Sequence, residues 1–190
     1  MRLLLVHNPT AGHGRSARAL TEVEEVCREL GLEVDIRLTE RPGHAIEIVA
    51  AEELARFDGV AATGGDGTVF ETLNGIFRNP AGPIVPFGVL PMGTGNSFSI
   101  DLGLKRGDVR GALEVIGGGT TRKVDVGHCR TADREFYYLN ILGLGFVSDV
   151  TATAAKLKLL GNISYTFGVI YRTAFLGTSR LTLEIDGKVV

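Results

Sequence analysis

Gly59-Val60-Ala61-Ala62-Thr63-Gly64-Gly65-Asp66-Gly67-Thr68 is the stretch that decides the fold. Gly59 to Thr63 is a short apolar run of strand type, and Thr68 to Phe77 beyond the glycines has helical periodicity. A strand that passes through a glycine-rich loop into a helix is the repeating unit of a parallel α/β sheet. Ligands of such sheets bind beyond the carboxyl ends of the strands, where this loop lies.

Working outward, the same alternation continues on both sides. Arg2 to Asn8 reads as a buried strand by its Leu-Leu-Leu-Val run. Arg15 to Leu30 reads as one amphipathic helix, with Gly31 as its C-cap. Glu33 to Leu38 alternates as a strand does, and Pro42 to Ala55 reads as a helix with proline in its first turn. Pro86 to Leu90 is a further strand, and Asp108 to Ile116 a helix ended by Gly117-Gly118-Gly119. The expected architecture is α/β: a Rossmann-like parallel sheet with helices on both faces. The pattern then changes. Thr120 to Cys129 and Glu135 to Leu142 read as consecutive strands, Val147 to Leu157 and Ile163 to Phe175 as helices, and Ser179 to Ile185 as a strand before an Asp186-Gly187 turn. The expected domains are 1–122, the α/β unit, and 123–190, the start of a second one that opens with consecutive strands and is incomplete. A hairpin with almost no second strand leaves an unpaired edge, so the natural protein is expected to continue past Val190.

Bulk properties narrow the function. Of the 190 residues, 44% are hydrophobic and 22% charged, which fits a packed globular core. The net charge of -2 argues against a nucleic-acid partner and against a polybasic membrane anchor. The two cysteines, Cys27 and Cys129, lie far apart without metal-ligand spacing, so a reducing compartment is expected. The N-terminus lacks the cleavage pattern of a signal peptide. The apolar stretch Leu157 to Leu176 is broken by Lys158, Asn162, Ser164 and Arg172, too polar for a spanning helix.

Three glycine-rich loops fall at carboxyl ends of predicted strands: Asn8-Pro9-Thr10-Ala11-Gly12-His13-Gly14, Gly64-Gly65-Asp66-Gly67-Thr68 and Pro91-Met92-Gly93-Thr94-Gly95-Asn96. Glycines 64, 65 and 67 permit close approach of a ligand, and the following helix offers free amides and a positive dipole end to phosphate. Asp66 is placed to hold magnesium or to polarise a hydroxyl, since an acid between glycines has little evident structural use. Thr68 and Glu71 fit a capping box, and capping is the preferred reading of Glu71. Asn96 is read equally as ligand contact or helix cap. Gly12-His13-Gly14-Arg15-Ser16-Ala17, with Asp35 further on, fits a dinucleotide fingerprint weakly. A Walker A sequence is absent, so phosphoryl transfer requires another cradle. No role is assigned to His7, His44 or His128.

The ordered loops, with Val124-Asp125-Val126-Gly127, Asn140 to Phe146 and Lys158-Leu159-Leu160-Gly161-Asn162-Ile163-Ser164-Tyr165, resemble the diacylglycerol kinase catalytic-domain family, including bacterial lipid kinases and the related sphingosine kinases. The resemblance covers essentially the whole chain. It implies transfer of the γ-phosphoryl group of ATP to a lipid hydroxyl, in a cleft between an α/β domain and a β-rich domain. Asn8, Pro9, Gly12, Gly64, Gly65, Gly67, Thr68, Gly93, Thr94, Gly95 and Asn96 would then shape the nucleotide site. Asp66 would be catalytic and, with Asp125, would hold Mg2+. The acceptor lipid would be met by peripheral contact at a membrane surface, in the cytoplasm; a homodimer is left open.

Two departures from the family pattern stand out: Ser97 replaces an acid found in many relatives, and the acidic residue that the resemblance implies as the base is expected past the end of this chain. The chain alone is therefore expected to be inactive or nearly so, unless Asp66 is the base, as the sphingosine-kinase likeness implies. The alternatives are an NAD-kinase-like small-molecule kinase and a non-catalytic nucleotide-binding regulatory module. An NAD-dependent dehydrogenase comes last.

Overall fold

The computed structural model describes residues 1–82, 85–143, 182, 184–185 and 188–189. By its own contacts the chain divides into two compact units, Met1–Asn140 and Ile141–Val190.

The first unit is built on a parallel sheet of four strands, β1 (Arg2–His7), β2 (Glu33–Leu38), β3 (Gly59–Gly64) and β4 (Phe87–Pro91), in the order β2-β1-β3-β4. The continuous Leu3-Leu4-Leu5-Val6 run occupies an inner strand because both faces of that strand are covered. Leu3 and Leu5 pack with Val23, Val26 and Leu113 on one face, and Leu4 and Val6 with Ala45, Val49 and Ile76 on the other. Each such side chain contributes about 1.5–3 kcal/mol on full burial. The first face is covered by α1 (Ala11–Arg18), α2 (Leu20–Glu29) and α6 (Val109–Gly117), the second by α3 (His44–Ala51), α4 (Asp66–Arg78) and α5 (Ser97–Asp101).

The boundaries differ from expectation in instructive places. The helix expected from Arg15 has an irregularity at Ala19, which separates α1 from α2 although Val23 still donates to the Ala19 carbonyl at 2.9 Å. The helix expected from Pro42 begins only after Gly43, a left-handed residue with φ +82°, and stops at Ala51 before a 3-10 turn over Leu54–Arg56. Gly31 is left-handed at φ +67° and ends α2, as read from sequence. Asn79 closes α4 and donates from Nδ2 to the carbonyls of Val49 and Glu52, satisfying the C-terminus of α3.

The expected strand over 120–129 forms only as β5 (Gly127–Arg130), and its partner only as β6 (Glu135–Tyr138); they pair antiparallel. Asn74 of α4 binds this hairpin as a neighbouring strand would: Oδ1 accepts the Tyr137 N–H at 2.9 Å and Nδ2 donates to the Tyr137 carbonyl at 2.8 Å. The Tyr137 ring stacks between Phe77 and His128, at 4.0 and 4.6 Å between centroids. In the second unit, β7 (Glu184–Ile185) and β8 (Lys188–Val189) pair antiparallel. The helices expected over 147–157 and 163–175, the Lys158 to Tyr165 motif and the Asp186-Gly187 turn lie outside the described residues. Among the described residues no helix is long and apolar enough to cross a membrane.

Candidate functional site

In the order β2-β1-β3-β4, the chain moves outward to β2 from β1 on one side and to β4 by way of β3 on the other. The switch point therefore lies between the carboxyl ends of β1 and β3. Asn8 leaves β1 there and Thr68 stands in the first turn of α4 after β3. Asn8 Nδ2 donates to Thr68 Oγ1 at 3.0 Å, while Asn8 Oδ1 accepts from the amide and hydroxyl of Thr10. One asparagine thus ties the first loop to the second.

The second and third loops meet even more closely. A Cβ on Gly93 would lie 2.2 Å from the Gly65 Cα, and one on Gly95 2.4 Å from an Asp66 carboxylate oxygen. Only glycine allows these loops to touch, which is why both sequences are glycine-rich. Asn96 is buried and left-handed at φ +63°, and its amide group folds back onto Gly93: Oδ1 accepts the Gly93 N–H at 2.9 Å and Nδ2 donates to the Gly93 carbonyl at 3.0 Å. Neither ligand contact nor side-chain capping of α5 is therefore needed to account for Asn96; it holds its own loop shut.

Asp66 has a structural use that the sequence did not reveal. Its carboxylate accepts the backbone N–H groups of Asn96 and Ser97 at 2.9 and 2.7 Å, clamping the third loop to the start of α4. The capping box expected of Thr68 and Glu71 does not form. α4 begins at Asp66 behind Gly65, which offers no side-chain cap, so Thr68 lies within the helix. Glu71 instead accepts the Gly43 N–H at 2.9 Å and caps α3. The first turn of α4 consequently presents amides without a side-chain cap, beside exposed Asp66 and Gly67.

The first loop is left-handed at Gly12, His13 and Gly14. A Cβ on Gly12 would lie 2.2 Å from the Met92 carbonyl oxygen, and Arg15 donates to the Gly93 carbonyl at 3.4 Å, so this loop abuts the third. Asp35 lies in mid-strand, paired with Arg2 at 2.9 Å, and not at a ribose position; this removes the support for the dinucleotide fingerprint. Beneath the loop is a group missed in the sequence. His7 is fully buried, with Nε2 3.2 Å from Ser16 Oγ. Burial pushes its imidazole below the usual histidine range, against a smaller upward effect of Ser16.

The structure thus brings together Asn8, Gly12, Gly64, Gly65, Asp66, Thr68, Gly93, Gly95 and Asn96, with Pro9 in the first loop and exposed Thr94 at the rim. Asp125 is exposed in the irregular stretch before β5. Among the described residues, no group of three or more His, Cys, Asp or Glu side chains could hold a metal ion.

Residues 2–129 match the family described as the diacylglycerol kinase catalytic domain. The chain belongs to this family. It is 30% identical over 190 residues to the diacylglycerol kinase of Bacillus subtilis (strain 168), covering 99% of this chain and 61% of that protein. It is 32% identical to the diacylglycerol kinase of Staphylococcus aureus (strain MRSA252), covering 99% and 58%. A crystal structure of a diacylglycerol kinase from Bacillus anthracis str. Sterne superposes with a TM-score of 0.70 at 28% identity, covering 100% of this chain and 60% of that one. The chain therefore spans about three fifths of the length of the relatives it matches. Within the diacylglycerol kinase family match lie all three glycine loops and Asp125.

Proposed function

We infer that the chain carries the nucleotide-binding part of an ATP-dependent lipid kinase. The observation that carries this reading is the meeting of three glycine loops at a sheet switch point, beside the uncapped first turn of α4. We assign nucleotide binding to residues 1–122 and the lipid side of the site to the chain from 123 onward.

The residues suit a nucleoside triphosphate. Gly67 has open space where a Cβ would stand, and the α4 amides lie beside it, a seat for phosphate oxygens. Asn8 keeps Thr68 in place, and Asp66 keeps the third loop against α4. Magnesium would neutralise charge on the phosphates when bound. Such an ion needs only one or two protein carboxylates, the remaining ligands being phosphate and water. We assign it to Asp66 and Asp125. The Asp66 carboxylate accepts two amides and has about four acceptor directions, so its clamp leaves room for a metal or a substrate hydroxyl. We also assign Asp66 to catalysis. The acceptor is a lipid hydroxyl reached by peripheral membrane contact.

A second reading, a regulatory nucleotide-binding module, is favoured by one observation: Asp66 already has a structural role that explains an acid at this position. The deciding experiment is transfer of labelled γ-phosphate from Mg-ATP to diacylglycerol, a sphingoid base, phosphatidylglycerol and NAD, with the Bacillus subtilis relative as control. Labelled lipid supports the lipid kinase. Labelled NAD alone overturns it in favour of a small-molecule kinase. Nucleotide binding without transfer, in this chain and also in one extended to the length of the Bacillus subtilis relative, favours the regulatory module.

A further inference from the structure

We propose that His7 is a positioning residue for the first glycine loop, holding it in a nucleotide-competent shape through one buried hydrogen bond to Ser16. This rests on the nucleotide-binding reading above.

Side chains alternate along a strand. Leu3 and Leu5 of β1 face the cluster formed with α2 and α6, and His7 is the next residue on that face. Its neighbour in register on β3 is Thr63, which shares the face with Ala61. His7 is fully buried at the end of the layer that Leu3 and Leu5 begin, and a buried polar ring is unfavourable unless it is hydrogen-bonded. His7 and Ser16 are each 0% exposed, and Nε2 lies 3.2 Å from Ser16 Oγ. The other ring nitrogen, Nδ1, and Thr63 Oγ1 are both buried and make no hydrogen bond among the described residues. A leucine would suit this layer as Leu5 does. The bond that His7 does make reaches the first loop.

That loop is held at other points as well. Asn8 binds Thr68, the Ala17 N–H donates to the Pro9 carbonyl at 3.2 Å, and Arg15 reaches the Gly93 carbonyl. Ser16 follows Arg15 directly and comes two residues after the left-handed Gly12-His13-Gly14 turn. Fixing Ser16 therefore fixes where Arg15 departs from α1 and how closely Gly12 abuts Met92. The Ser16 hydroxyl can donate or accept, so either tautomer of a neutral imidazole keeps the bond.

The test compares the wild-type chain with His7→Phe, His7→Gln, Ser16→Ala and the double variant His7→Phe/Ser16→Ala. Amide hydrogen exchange over residues 10–17 and equilibrium binding of Mg-ATP are both read. Expected are faster exchange confined to the loop and roughly fivefold weaker Mg-ATP binding in His7→Phe and Ser16→Ala, as for loss of one hydrogen bond. The double variant should be no worse than the singles, and His7→Gln should recover part of the loss. Unchanged loop exchange overturns the latch. Faster loop exchange with unaltered Mg-ATP affinity overturns its service to the nucleotide. A wild-type chain that binds no Mg-ATP overturns the kinase reading and that service with it, while loop exchange still judges the latch itself.

Discussion

The Asp66 carboxylate accepts the Ser97 backbone N–H at 2.7 Å, across thirty-one residues of sequence. The same carboxylate accepts the Asn96 N–H, so two loops that follow different strands act as one surface. Asp66→Asn keeps one acceptor but turns an NH2 group toward the second amide. It is expected to weaken Mg-ATP binding about tenfold, as for loss of a charge-assisted hydrogen bond. If Asp66 also acts in catalysis, γ-phosphate transfer by a chain extended to the length of its relatives falls much further than affinity does. Equal losses in affinity and transfer would leave the clamp as its sole role.

Gly93 and Gly67 separate two reasons for a glycine. A Cβ at position 93 would collide with the Gly65 Cα and with Asn96 Oδ1, whereas one at position 67 would meet nothing within 4 Å. Gly93→Ala is expected to destabilise the chain by about 1–3 kcal/mol, as overpacking does. Gly67→Ala is expected to keep or slightly raise stability, as alanine does in a helix, while reducing Mg-ATP affinity, because the methyl would fill the proposed phosphate seat. Denaturant titration and equilibrium binding on both variants check the contrast. A Gly67→Ala protein of normal affinity would move the phosphates away from the first turn of α4.

Much of this was legible in the sequence because each element obeys a local rule. The apolar run of β1, the alternation of strands and helices and the three loops at strand ends all follow from periodicity and from glycine. What escaped was tertiary. Glu71 fits a capping box by spacing, yet the partner that reaches it is Gly43 of another helix. Asp66 looked free of structural use because its partners, Asn96 and Ser97, lie thirty residues away. His7 read as unremarkable because only the fold reveals Ser16 beside it. The strand expected over 120–129 shortened to four residues because pairing with β6 starts only at Gly127.

Asn74 is expected to control the docking of the β5–β6 hairpin. It is 1% exposed and serves both backbone groups of Tyr137. Asn74→Ala leaves the Tyr137 N–H and carbonyl without these partners and is expected to cost about 2–4 kcal/mol. A fall in melting temperature of roughly 5–10 °C should follow. Hydrogen exchange should accelerate first in Glu135–Tyr138. Asn74→Asp keeps the acceptor for the Tyr137 N–H but sets a carboxylate against its carbonyl, and should be at least as damaging. A melting temperature within a degree of wild type for both variants would show that the aromatic stack on Phe77 suffices.

His7 gives stability a defined pH dependence. Its folded-state pKa lies below the ordinary histidine value, chiefly because burial disfavours the imidazolium. In the unfolded chain the ring protonates near its ordinary value. Between the two pKa values the unfolded state therefore binds more protons than the folded state, and stability rises with pH. The contribution is complete above about pH 6.5, shrinks as pH falls from there toward the folded pKa, and changes no further below it. His7→Leu removes this dependence and fills the same layer with an apolar side chain. Denaturant unfolding at pH 7.5 and 5.5 should show the wild-type chain losing more stability on acidification than His7→Leu, with the difference confined to that window. Parallel losses in the two proteins would mean that the wild-type ring takes up its proton without leaving the folded state, and the buried His7–Ser16 pair would then tolerate a charge.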